Sequence, residues 1–140
     1  MSLQPVLIAG EWCQAQNPVG DFTAVNPATK SPLPERYPIS GLEDVELALQ
    51  AAQDAVVALR SVPPSTIARF LDLFAAAIET RADALVELAH LETGLPQEPR
   101  LRSVELPRTT NQLRQAATAV RERSWCLATI DTQTNIRSRY

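Results

Sequence analysis

Ser40-Gly-Leu-Glu-Asp-Val-Glu-Leu-Ala-Leu-Gln-Ala-Ala-Gln-Asp-Ala-Val-Val-Ala-Leu59 is the stretch on which the fold turns. Val45, Ala48, Leu49, Ala52, Ala55, Val56 and Leu59 recur at intervals of three and four, which predicts an amphipathic helix of roughly 20 residues. Ser40 with Glu43 three residues on has the form of a capping box, hydroxyl and carboxylate each satisfying a free N–H. Glu43, Asp44 and Glu46 then fill the first turn, where the helix dipole is positive. An apolar stripe of this length must be covered by another surface.

Downstream, Pro63-Pro64 ends this helix and starts another, with Ser65 or Thr66 as its expected cap. Ile67, Phe70, Leu71, Phe74 and Ile78 form its stripe. After the polar patch Glu79-Thr80-Arg81 the helix continues or restarts, with Leu85, Leu88, Ala89 and Leu91 inward. Gly94 is placed to end it in a left-handed conformation, with Pro96 close behind. A third helical region spans about Leu101 to Arg123. Pro107 lies inside it and predicts a kink or a late start. Ser124 to Thr134 reads as an extended strand without a sequence-adjacent partner, an aggregation hazard unless another surface pairs with it.

Upstream, residues 1–39 are rich in turn formers, among them Gly10, Asn17-Pro18 and Asn26-Pro27. The apolar runs Val6–Ala9 and Phe22–Val25 are expected to be two strands of one hairpin.

Composition narrows the function. The apolar fraction is 45% and the charged fraction 21%, ordinary for a globular chain of 140 residues. The longest uninterrupted apolar stretch, near Leu73 to Ile78, is far shorter than the ~20 residues of a membrane span, and the start lacks a basic leader. Cys13 and Cys126 lie far apart, as expected of reduced thiols in a cytoplasmic protein. Residues 1–99 carry 5 basic and 13 acidic side chains, whereas residues 100–140 carry 8 arginines and 3 acids. Those arginines stand at helical spacing with little aromatic company, so pairing with an acidic surface is expected, rather than nucleic-acid binding.

Much chemistry is excluded. The 4 glycines, Gly10, Gly20, Gly41 and Gly94, have neither GxGxxG nor P-loop spacing. The single histidine, His90, comes late in a helix, and no GxSxG elbow presents a serine. No CxxC or HExxH offers a metal site. Cys13 has no basic neighbour in sequence, and Cys126, near Arg121 and Arg123, falls in the last strand, so neither is expected to be a nucleophile. Glu43/Asp44/Glu46 are accounted for by the helix start, and Glu92/Glu98 flank a turn. No catalytic, cofactor-binding or metal-binding residue is therefore assigned.

In order, these segments resemble the start of an aldehyde dehydrogenase subunit. Ile8-Ala9-Gly10-Glu11-Trp12 is similar to that family's opening strand, and Val25-Asn26-Pro27-Ala28-Thr29 to its second strand and turn. Leu91-Glu92-Thr93-Gly94 is the most recognisable piece. Thr93-Gly94-Leu95-Pro96, Arg100-Leu101, Glu105-Leu106 and Arg108-Thr109-Thr110-Asn111-Gln112-Leu113-Arg114 resemble the branch containing α-ketoglutaric semialdehyde (2,5-dioxopentanoate) dehydrogenases. Pro107 and Asn111 depart from it, standing where the branch usually has glycine.

The resemblance implies an α/β fold, represented here by its N-terminal part: a β-hairpin, three amphipathic helices and a strand of the oligomerisation ribbon. Residues 1–123 would belong to the NAD(P)-binding domain. Residues 124–140 would begin the oligomerisation strand and lead to further sequence, with Trp125, Leu127 and Ile130 as the interface of a homo-oligomer. A complete subunit would oxidise a small aldehyde with NAD or NADP: a cysteine thiolate attacks, hydride leaves to the nicotinamide, and a glutamate-activated water hydrolyses the thioester. The family's cofactor glycines, catalytic cysteine and glutamate all lie beyond Asn135–Tyr140. This chain is therefore expected to be inactive and cofactor-free alone, and to have the remainder of the subunit as its partner. The alternatives are a free-standing helical interaction module derived from that family and, last, a helical nucleic-acid binder using the arginine-rich third.

Overall fold

A computed structural model of the chain describes residues 2–123 and 129–138. Contacts divide it into two compact units, residues 1–61 with 87–96, and residues 62–86 with 97–140.

The first unit begins with short ribbons. β1 (Val6–Ile8) pairs antiparallel with β2 (Glu11–Cys13), Ile8 opposite Glu11. Only Ala9 and Gly10 separate them, at φ 54° and 86°. Two positive φ values in a two-residue loop match the right-handed twist of the strands, so the chain folds straight back. β3 (Gly20–Phe22) pairs with β6 (Tyr37–Ile39), and β4 (Val25–Asn26) with β5 (Ser31–Pro32). The single hairpin expected between Val6–Ala9 and Phe22–Val25 is thus replaced by three separate two-stranded ribbons. Each run finds a partner other than the one expected. Arg36 forks onto Asp21, Nε to Oδ1 at 3.1 Å and Nη2 to Oδ2 at 2.7 Å, and Phe22 stacks on Tyr37, both across the β3–β6 ribbon.

α1 spans Leu42–Leu59. Gly41 holds the cap position, and no side chain caps it, so the expected Ser40–Glu43 box does not form. The acids of the first turn are engaged elsewhere. Glu43 accepts from Asn17 Nδ2 at 2.5 Å, and Asp44 Oδ1 accepts from the Gln16 N–H at 3.2 Å.

In the second unit, α2 (Pro64–Thr80) starts at the proline pair, with Pro63 rather than Ser65 or Thr66 at its cap. Arg81 drops out of helical geometry at φ −105° and ψ 18°, and α3 (Ala82–Thr93), which runs from this unit into the first, begins after it. A wider, π-type helical segment, Gln97–Glu105, interrupted at Glu98 (φ −117°, ψ 140°), leads into α4 (Leu106–Glu122). Pro107 is the second residue of α4, at the junction with the wider segment, and Glu105, just before the helix, is itself helical at φ −73° and ψ −42°. Pro107 thus stands at the start of α4, and the described residues form four α-helices where the sequence suggests three helical regions.

α2 and α4 form the core of this unit. Ala68 and Ala75 on α2, and Thr110 and Ala117 on α4, are buried at intervals of seven, so small side chains bring the two axes together. Leu101 and Val86 are buried as well. Flanking the seam, Glu79 pairs with Arg114 at 2.7 and 2.8 Å, and Asp72 pairs with Arg121. Seven residues back along α2 match seven onward along α4, so the helices run antiparallel.

β7 (Thr129–Asp131) pairs with β8 (Ile136–Ser138), Asp131 opposite Ile136. This corrects the expectation of a final strand with no adjacent partner. Asp131 Oδ1 accepts from the N–H groups of Gln133 and Thr134, and Asn135 takes φ 54°, which reverses the chain within four residues. The same device closes β4–β5, with Asn26 Oδ1 accepting from Ala28 and Thr29, and Lys30 at φ 57°. Residues 124–128 of the expected strand lie outside the described residues.

Candidate functional site

The residues that could carry chemistry are held apart or already engaged. His90 Nδ1 is 2.7 Å from the Leu95 carbonyl oxygen, so the ring donates there and braces the turn after α3. Thr93 Oγ1 in the same turn donates to the Ala89 carbonyl at 2.5 Å and accepts from the Leu95 N–H at 3.2 Å. Gly94 stands at φ 70°, and a Cβ there would meet Pro27 Cγ at 3.0 Å, so this turn packs closely on the Asn26-Pro27 loop. Cys13 is exposed and free, its thiol 3.7 Å from the Val6 carbonyl. Cys126 lies outside the described residues. Glu98 accepts from Ser103 at 2.6 Å and pairs with Arg102, and Glu92 is exposed. Among the described residues no three His, Cys, Asp or Glu side chains stand close enough to hold a metal ion.

The arginines of the C-terminal third are largely engaged within their own unit. Arg100 pairs with Glu105, Arg102 with Asp83, Arg114 with Glu79 and Arg121 with Asp72. The Arg114 guanidinium holds the Glu79 carboxyl below its ordinary range, with a smaller contribution from Thr110, and burial opposes the shift.

Three of the helix starts are partly occupied. The pyrophosphate of NAD(P) needs closely spaced glycines and a helix N-terminus with free N–H groups. Here the start of α1 is crossed by Asn17, whose carbonyl oxygen would lie 2.5 Å from a Cβ on Gly41. α2 begins with Pro63-Pro64 and α4 has Pro107 in its first turn, and proline has no N–H.

What the structure does present is apolar surface. On α1, Val45, Leu49, Val56, Val57 and Leu59 are exposed, Leu49 and Val57 at 65% and 66%. This stripe lies in the open, and on α3 Leu85 and Leu88, expected to face inward, are exposed as well. Beside the α1 stripe, Leu7 to Gly10 and Ala48, Ala51, Ala52 and Ala55, with Asp54 among them, line a groove of about 530 Å³. Among the described residues of the first unit no apolar side chain is fully buried, and the buried residues are Gly41 and Asp44. On α2, Phe70 and Phe74 stack with centroids 6.0 Å apart yet remain 62% and 49% exposed, beside the exposed Leu73. Monomeric proteins rarely leave large contiguous apolar patches open. The interface expected at Trp125 and Leu127 lies outside the described residues. Ile130 is on β7, its backbone opposite Arg137.

The latch of Gln16 and Asn17 on Asp44 and Glu43 escapes sequence reading because its halves are more than 25 residues apart. The seven-residue spacing of Asp72/Glu79 and Arg114/Arg121 is a signal that could have revealed the ion pairs. Among the described residues, no helix is long and apolar enough to cross a membrane.

Comparison with known proteins supplies the context for this uncovered surface. The aldehyde dehydrogenase family matches residues 12–139. Alpha-ketoglutaric semialdehyde dehydrogenase 2 of Azospirillum brasilense is 39% identical over 113 residues, covering 80% of this chain and 21% of that protein. An NAD-dependent benzaldehyde dehydrogenase from Corynebacterium glutamicum shares the fold at a TM-score of 0.78 and 20% identity, covering 94% of this chain and 27% of that one. PnpE, solved in complex with nicotinamide adenine dinucleotide, superposes at a TM-score of 0.72 and 28% identity over 85% of this chain and 24% of its own. The chain thus spans about a fifth to a quarter of the length of the proteins it matches.

Proposed function

We propose a function from one premise: the chain belongs to the aldehyde dehydrogenase family. It supplies the amino-terminal outer layer of an NAD(P)-dependent aldehyde dehydrogenase subunit. The observation that carries this is the pairing of a family match over residues 12–139 with helix faces that this chain leaves uncovered. The remaining length of the relatives is the proposed cover. Fully burying a Val, Leu or Phe side chain contributes ~1.5–3 kcal/mol. Val45, Leu49, Val56, Leu59 and Phe70 are each about half exposed or more. Covering them is worth on the order of 5 kcal/mol, comparable with the whole stability of a marginal domain.

The complete subunit oxidises an aldehyde to the acid through a cysteine thioester, with NAD or NADP as hydride acceptor. None of its reacting groups is assigned to this chain, and the chain alone is inactive. The 39% identity with the A. brasilense protein supports α-ketoglutaric semialdehyde as the substrate. The free, exposed Cys13 is in keeping with a cytoplasmic enzyme. Subunits associate through the ribbon containing β7, with Trp125, Leu127 and Ile130 at the contact. A two-stranded ribbon is marginal alone and has open edges.

The test is to express the chain with and without the cysteine-bearing remainder of the subunit. NADH or NADPH formation from α-ketoglutaric semialdehyde is then followed. Turnover only in the combined preparation is expected; turnover by these 140 residues alone would overturn the reading. A second reading, a free-standing helical interaction module, is favoured by one observation: β7 pairs with β8 within the chain. The DNA after the Tyr140 codon separates the two, since an in-frame continuation or a neighbouring gene encoding the remainder excludes the module.

A further inference from the structure

We draw no further inference here: the strongest candidate, the buried Asp44 carboxylate at the start of α1 whose Oδ2 has no hydrogen-bond partner among the described residues, is sealed from any incoming ligand and stands at the positive end of a helix, which disfavours a cation.

Discussion

Two glycines in the first unit constrain the backbone for different reasons, and the difference is measurable. Gly41 has φ −74°, which any residue adopts, but a Cβ there would press on the Asn17 carbonyl at 2.5 Å. Backbone must move, so Gly41→Ala is expected to cost about 1–3 kcal/mol, as overpacking does. Gly94 has φ 70°, where a side chain costs ~1–2 kcal/mol, with a further tight contact to Pro27. Both variants should melt at lower denaturant concentration than the parent, read by urea titration of helicity. A Gly41→Ala protein as stable as the parent would remove the latch between Asn17 and α1 from this account. Gly94 is legible in the sequence, because a helix end, a glycine and Pro96 stand in a row. Gly41 is not, because what presses on it lies 24 residues earlier.

The α2–α4 pair depends on small side chains with ion pairs at its flanks. Ala75→Leu or Ala117→Leu would drive the axes apart, at an expected cost of about 1–3 kcal/mol. An exposed position such as Gln112 should accept leucine with little change; equal effects at the two kinds of site would argue against a close seam. Acidification probes the flank. The folded-state pKa of Glu79 is depressed by Arg114, so its contribution is complete above the ordinary carboxylate value of 4.5. It is lost as pH falls through the lower folded value. Melting temperature should therefore drop below about pH 4.5, and Glu79→Gln should flatten that part of the profile. A profile unchanged by the substitution would show that the pair contributes nothing.

Elements were more legible than their partners. Periodicity in Val45–Leu59 and Ile67–Ile78 locates α1 and α2, and Pro107 locates the start of α4. Pairing of the short strands was hidden. It is set by turns such as Ala9-Gly10, where a non-glycine residue takes φ 54° without any sequence signal for it. The β7–β8 reversal does carry a signal, Asp131 with Asn135, but the intervening threonines read as continued strand. The Ser40–Glu43 box does not form because the cap falls on Gly41, one residue later, and Glu43 pairs with Asn17, a contact that local pattern cannot contain.

Across the whole molecule, the missing chemistry and the exposed surface have one explanation. No cofactor loop or activated nucleophile is read in the sequence, and the structure leaves the α1 stripe and Phe70, Leu73 and Phe74 of α2 open. The proposed function accounts for both: the chain aligns with only about a fifth to a quarter of the length of its relatives, and we propose that their remaining sequence lies on that surface. The most direct measurement is binding of the hydrophobic dye ANS to the chain alone and to the chain combined with the remainder of the subunit, under conditions that keep native helicity. The account predicts strong fluorescence from the chain alone and its loss in the combined protein. A chain that ignores the dye and melts cooperatively as a monomer would contradict it.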